Sequence, residues 1–424
     1  MSDLNEDCFQ GDEEMLPYLE GLKILKENTH TVVGSEIISL PKALGRVLAE
    51  DIQSPLSVPP HDNSAVDGYG MAFDDLKSDG ETRLPVNGRI AAGHPLDRPA
   101  QSGEAVQIFT GAAMPQGMDT VVMQEDVTLD GDDVLIPAGL KRGANRRLVG
   151  EDVKEGEVII KAGTLMRAQE IGMAASIGLG KIKVFRPLRV AVFSTGDEIA
   201  DPLFDGVDAV GKGQGTIFDV NRYSVAALLR GLGCEVTDLG ILQDKVGEIR
   251  SALHDAAPGH DLIITSGGVS LGEEDHITRV VESLGSIAFW RLAIKPGRPM
   301  AFGKIVDTAF IGLPGNPVAA MVIFMRVARP LILSLCGRAD DDVPAFQVPA
   351  GFSMTKKTGR REWLRASLET DENGVMHAMK FPKQGSGILT SMVASSGLVE
   401  LAEDVRSVEE GDLVSFLSFG DMTT

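Results

Sequence analysis

The chain has 424 residues, is 43% hydrophobic and carries a net charge of −21 with three cysteines. At roughly 150 residues per domain it is long enough for about three domains with ample cores. Its acidity excludes nucleic acid and anionic membrane surfaces as partners, because both require a positive field. No run of 18 apolar residues occurs, so no membrane span is expected. The acidic N-terminus, MSDLNEDCFQGDEEM, lacks the basic and apolar regions of a secretory signal. Cys8, Cys234 and Cys336 are odd in number, far apart in the chain and free of any CxxC pair. They predict no disulfide framework and point to a reducing cytoplasm.

In chain order, residues 1–14 are polar. Leu16, Leu19, Leu22 and Leu25 then recur at threes, which predicts one amphipathic helix from Glu14 to Glu27. A second helix is predicted across Pro41–Ala49, with Pro41 in the first turn. Pro55, Pro59 and Pro60 forbid helix and central strand alike over 54–68. That segment reads as an extended crossover, and by itself Asp67 reads as a turn cap. Residues 69–145 read as all-β: short apolar runs at 84–86, 105–109, 120–123 and 134–136 alternate with Gly, Pro and Asp turns. Two basic pairs follow, and a short helix over Ala168–Ser176 returns the chain to the first helical region. The division expected is residues 1–56 with 146–185 as a discontinuous, elongated N-terminal domain and 57–145 as an inserted β domain.

Residues 186–335 change character. Strands at 189–193, 235–239, 261–265 and 309–312 alternate with helical patterns at 221–230, 245–256, 275–283 and 316–335. This is the pattern of a doubly wound parallel α/β sheet. A hairpin, 287–293 with 300–305, interrupts it. Residues 336–424 return to short strands and Gly turns, predicting a C-terminal β domain. The expected fold class is therefore multidomain α/β plus β.

The chemistry collects at strand ends. The segment HDLIITSGGVSLGEED, residues 260–275, is a buried strand, a Gly267-Gly268 turn and an acidic helix start holding Ser270, Gly272 and Asp275. Such a turn can aim backbone N–H groups at an oxyanion. Glu198 follows the first strand, Asp244 the second, and Pro314-Gly315-Asn316-Pro317 the fourth, with Asn316 as N-cap and Pro317 at N1. Glu198, Asp244 and Asp275 can project into one crevice, where three carboxylates suit a hard divalent cation bridged to phosphate. In a strand Arg291 and Lys295 would share a face and could offset the acidic background. An ordinary solvated hairpin edge reads the same way. No HExxH or GK[ST] pattern occurs, so zinc-hydrolase and P-loop readings fail.

These motifs, with PPHDNSAVDGYGM (59–71), FTGAAMPQGMDTVVMQED (109–126), STGDEI (194–199), FWRLAIKPGRPMAFG (289–303), GLPGNPVA (312–319), GRREWLRA (359–366) and QGSG (384–387), resemble the molybdopterin molybdotransferases. That family is known as MoeA and as the E domain of gephyrin. The resemblance covers nearly the whole chain. It implies a cytoplasmic enzyme with four domains, a C-terminal β-barrel-like one among them, in an L-shaped subunit that forms a homodimer. Molybdate would be inserted into the dithiolene of adenylylated molybdopterin, with Mg²⁺ assisting and AMP released. A molybdopterin adenylyltransferase and molybdoenzymes are the implied partners. The carried-over catalytic residues are Asp67, Thr110, Glu198, Asp244, Asp275, Arg291, Lys295, Arg365 and Ser386. Metal would fall to Glu198, Asp244 and Asp275. The ligand would be lined by Gly267, Gly268, Ser270, Gly272, Pro314, Gly315, Asn316 and Pro317, while Asp67 and Thr110 would reach in from the partner subunit. Arg291 departs from a frequent lysine, exchanging a point-like ammonium for a planar fork. A scaffold that retains the fold and a tungstate-specific paralogue are the rival readings.

Overall fold

The computed structural model describes residues 15–207, 215–268, 276–297, 299–339 and 342–423. Its centre is a six-stranded sheet in the order Glu235–Leu242, Arg189–Thr195, Leu262–Ser266, Thr308–Leu313, Pro299–Ile305, Gly285–Arg291. The first four strands are parallel and the last two run antiparallel. Parallel strands are buried on both faces, which is why they read as continuous apolar runs. Leu262, Ile263 and Ile264 are fully buried. Helices Asn221–Gly231 and Pro317–Leu335 contribute to one core, and Val246–Ala256 and His276–Leu284 to the other. The Pro317–Leu335 helix is long and apolar enough to cross a membrane, but 78% of its window is buried inside the protein, so it acts as a core helix.

Upstream, Ser35–Ser39 pairs with Lys181–Phe185, and Ile52–Gln53 with Val158–Ile160, around a small core of their own. Between these segments in the chain, a second six-stranded sheet runs in the order Thr120–Met123, Gly68–Met71, Ala105–Ile108, Thr82–Ile90, Asp133–Ile136, Thr128–Asp130. Downstream, Arg361–Thr370, Gly397–Leu401, Leu413–Ser418 and Ala345–Pro349 form a third sheet, with Met376–Lys380 paired at its side.

Three expectations need correction. The helix over Pro41–Ala49 is absent: Leu40–Lys42 makes one 3₁₀ turn, and Gly45, at φ +73°, breaks any continuation. Val47 and Leu48 instead bridge to Leu165 and Val184. The first helix is Tyr18–Glu27, and it buries Tyr18, Gly21 and Leu25 while Leu19 is 61% exposed. A strict three-residue step falls back about 60° per repeat on a 3.6-residue helix, so the four leucines cannot share one face. Arg291 and Lys295 do not share a strand. Arg291 ends Gly285–Arg291, whereas Lys295 belongs to Ile294–Lys295, which pairs with Arg361 and Glu362 in the C-terminal sheet. Cys234 and Cys336, far apart in sequence, are free cysteines buried in one core, where the neighbouring Cys336 thiol and burial raise the Cys234 pKa.

Candidate functional site

The register sets the site. Thr195 lies opposite Leu242, Ser194 opposite Ser266, and Ser266 opposite Leu313. Four parallel strands therefore end nearly flush, and the loops carrying Asp244, Glu198, Gly267 and Pro314 leave the same edge. The Arg189–Thr195 strand is followed in the chain by the strand on one side of it and then by the strand on the other. That reversal is the switch point at which open α/β sheets leave a crevice outside their carboxyl ends.

The crevice is closely built. Gly267 and Gly268 both have positive φ, at +88° and +65°. A β-carbon on Gly268 would lie 2.7 Å from Ile277 and 3.0 Å from Thr195, so a side chain is excluded there twice, by backbone and by space. The Gly267 N–H donates to the Leu313 carbonyl at 3.0 Å, and Ser266 Oγ donates to the Pro314 carbonyl at 2.8 Å. Asn221 Nδ2 donates to the Gly315 carbonyl at 2.7 Å. The Gly267-Gly268 turn and the Pro314–Pro317 turn are thereby locked together. Asn316 is the N-cap of the Pro317–Leu335 helix and Pro317 its first residue, although the Asn316 side chain makes no capping bond.

The C-terminal sheet closes another side. The Val318 N–H in the first turn of that helix donates to the Ser386 carbonyl at 3.0 Å. Arg365, 1% exposed, donates to the Gly385 carbonyl and to Ser391 Oγ at 3.1 and 3.0 Å. Gln384 pins the same loop through the Arg365 backbone at 3.0 Å. Among the described residues no carboxylate pairs with Arg365. Burial lowers its pKa to about 10, so it remains a cation at neutral pH. Lys295 bonds Glu362 at 3.0 Å, and the turn after it packs Gly297 against Pro314.

Glu198 is exposed and Asp244 partly so, and neither has a side-chain partner among the described residues. Arg291 is likewise exposed beside the N-terminal segment, its carbonyl accepting the Leu16 N–H at 3.0 Å. Asp275, Ser270 and Gly272 lie outside the described residues. Asp67 and Thr110 sit together in the second sheet: the Thr110 N–H and hydroxyl both donate to Asp67 Oδ1 at 2.8 Å. The backbone bond first and the hydroxyl second hold the Asp67 carboxyl below its ordinary range. No hydrogen bond or ion pair among the described residues links that pair to the α/β crevice.

Sequence reading missed the scaffold under Glu198. Arg222, buried, bonds Asp201, Asp219 and Asp238. Tyr223 OH reaches Asp201 at 2.7 Å. Burial would lower the guanidinium pKa, but the bonds to Asp238 and Asp219 raise it. This cage ties the Glu198-bearing loop to the Asn221–Gly231 helix. Its one available signal was an arginine at the start of a helix pattern. Ser194 Oγ, Thr195 Oγ1 and Asn221 Oδ1 are buried here without a hydrogen-bond partner among the described residues. A cavity of about 330 Å³ lined by His30, His260, Asp261 and Lys304 lies at the opposite edge. There Asp261 is already paired with Arg186 and Arg189.

An α/β sheet with a double-glycine turn at its switch point, closed by a C-terminal β unit, defines an anion-binding type of crevice, and the comparisons class it as molybdopterin-binding. Residues 16–178 match "MoeA N-terminal region (domain I and II)", 191–334 "Probable molybdopterin binding domain", and 347–419 "MoeA C-terminal region (domain IV)". A molybdopterin molybdenumtransferase of Haemophilus influenzae is 40% identical, over 92% of this chain and 95% of its own length. One of Nostoc sp. is 36% identical over 77% and 76%. The crystal structure of a molybdopterin biosynthesis moeA protein from Pyrococcus horikoshii OT3 superposes with TM-score 0.81 at 28% identity, covering 96% of this chain and all of that one. The chain belongs to the molybdopterin molybdenumtransferase family.

Proposed function

We propose that this protein is a molybdopterin molybdotransferase that inserts molybdate into the dithiolene of adenylylated molybdopterin and releases AMP. One observation carries the reading: buried hydroxyls without protein counterparts stand at the carboxyl edge of the α/β sheet, where the loop held by a buried arginine of the C-terminal sheet meets the helix starting at Pro317. Among the described residues the Ser194 and Thr195 hydroxyls lack a partner to donate to, and Arg365, behind the Ser386 loop, lacks a counter-ion. An anionic ligand would supply the missing partners. The Gly267 and Val318 N–H groups are bonded within the protein, so the Gly268 amide and the positive end of the Pro317–Leu335 helix would face phosphate oxygens. Arg291 and Lys295 would hold further anionic groups, with Gly315 and Asn316 lining the nucleotide.

The donor chemistry fits Mg²⁺. Glu198 and Asp244 offer only hard carboxylate oxygens from one edge, and magnesium takes one or two protein carboxylates with phosphate and water completing its shell. Asp275, the third carboxylate of the set, lies outside the described residues. Glu198, Asp244 and Asp275 would hold the ion, and when bound it would neutralise charge on phosphate oxygens.

The reading extends to a cytoplasmic homodimer in which Asp67 and Thr110 face the crevice of the partner subunit. Residues 57–145 would be an inserted domain, 1–56 with 146–185 an N-terminal one, 186–335 the ligand-binding one and 336–424 the C-terminal one. An adenylyltransferase would supply the substrate and molybdoenzymes would take the product. The test is AMP release from adenylylated molybdopterin with molybdate and Mg²⁺. Release by the wild type, abolished by Asp275→Ala, is expected. Equal release by both, or none by the wild type, would sink the reading.

A further inference from the structure

Glu362 raises an energetic question. It is 5% exposed, and its carboxylate has an ion pair with Lys295, whose own side chain is 55% exposed. Taking a carboxylate out of water is costly. An ion pair to a lysine that stays half in water returns only a small part of that cost. Fold stability therefore does not account for a glutamate here.

Backbone geometry supplies a reason. Ile294–Lys295 is not part of the α/β sheet. It runs parallel to the first two residues of Arg361–Thr370, with Lys295 directly opposite Glu362 and the Arg361 N–H donating to the Ala293 carbonyl at 2.8 Å. Immediately after Lys295, Gly297 packs on Pro314 and Ile323, beside the crevice turn. A second cation, Lys356, is anchored close by, donating to the Arg360 carbonyl at 2.8 Å. Burial lowers its pKa most, Glu362 pulls it back up, and the Lys295 charge lowers it further. Lys356 is balanced by Glu403 and Asp404 as well as Glu362, and among the described residues Lys295 is the one ion-pair partner of the Glu362 carboxylate.

We propose that Glu362 is a positioning residue for Lys295. Through it the C-terminal domain fixes the direction of a site cation that the α/β domain supplies but does not orient. The assignment rests on the functional reading above, in which Lys295 meets an anionic group of the substrate. Lysine is a flexible point charge, and a fixed hydrogen bond is what gives it a direction.

The test is a double-mutant cycle in the AMP-release assay with Glu362→Gln, Glu362→Asp, Lys295→Met and the Glu362→Gln/Lys295→Met pair. Glu362→Gln should raise KM for the adenylylated pterin about tenfold, the size of one charge-assisted hydrogen bond, with kcat little changed. Glu362→Asp, which keeps the charge, should recover most of that loss. In the Lys295→Met background Glu362→Gln should add less than about twofold. Unfolding midpoints should stay within about 4 °C of the wild type, and where Glu362→Gln unfolds, Glu362→Asp in both backgrounds reads the same coupling. Equal losses in both backgrounds, or wild-type KM in Glu362→Gln, would overturn the assignment while leaving the function standing. Absence of AMP release from the wild type would instead remove the function, and this role with it.

Discussion

The two ends of the parallel sheet treat polar groups in opposite ways. At the amino end Asp261 is bonded bidentately by Arg186 at 2.6 and 2.8 Å and again by Arg189. Thr308 Oγ1 donates to the Ala257 carbonyl at 2.7 Å, and His260 Nδ1 meets the Ala256 carbonyl at 2.8 Å. At the carboxyl end Ser194, Thr195 and Asn221 each bury an oxygen with no partner among the described residues. The same strands carry both ends, so strand stability does not explain the difference. Buried polarity that the protein satisfies itself is architecture, and buried polarity left unsatisfied is capacity for a ligand.

The sharpest challenge to this contrast is Arg222, a satisfied cage on the carboxyl side. Arg222→Met would leave Asp201, Asp219 and Asp238 close together without their cation. We expect a loss of about 3–5 kcal/mol in chemical denaturation, with AMP release falling as the Glu198 loop loses its anchor. Wild-type stability would mean that the cage is not structural.

Arg365 should behave the other way. Arg365→Met removes a buried cation that lacks a counter-ion, so stability should change by about 1 kcal/mol or less. The kcat/KM should fall about a hundredfold, equivalent to about 2.7 kcal/mol. A large stability loss with little kinetic effect would move Arg365 to the architectural class.

Asp261 gives a pH signature for the amino end. Burial alone would raise its pKa, but bonds from Arg186 and then Arg189 bring it down to about 2 from an ordinary 3.8. The folded state therefore binds the proton more weakly than the unfolded state. The stabilisation, on the order of 2 kcal/mol, is complete above about pH 4 and is lost as pH falls toward 2. Asp261→Asn should flatten that part of the stability–pH curve.

Much of this was legible in the sequence, for physical reasons that also mark the limits. The parallel strands announce themselves because burial on both faces demands continuous apolar runs such as Leu262-Ile263-Ile264, closed by glycines. The turns Gly267-Gly268 and Pro314–Pro317 are local chemistry and were readable. The predicted Pro41–Ala49 helix failed because Gly45 takes a left-handed conformation. The leucine stripe misled because a period of three is not 3.6. What could not be read is long-range pairing: Lys295 with Glu362 across 67 residues, Asp261 with Arg186 across 75, and the two buried cysteines. Family resemblance named Arg365 and Ser386, but only the fold shows the Ser386 loop resting on the start of the Pro317–Leu335 helix.

The central contrast comes down to two threonines of one sheet, in strands that flank Leu262–Ser266 on either side. Thr308→Val and Thr195→Val should each be measured in chemical denaturation and in AMP release. Thr308→Val is predicted to lose about 1 kcal/mol of stability and to keep its kcat/KM. Thr195→Val is predicted to hold or slightly gain stability and to lose about tenfold in kcat/KM, about 1.4 kcal/mol. If both variants fail in the same assay, or if Thr195→Val destabilises as Thr308→Val does, the division between the two ends of the sheet is wrong.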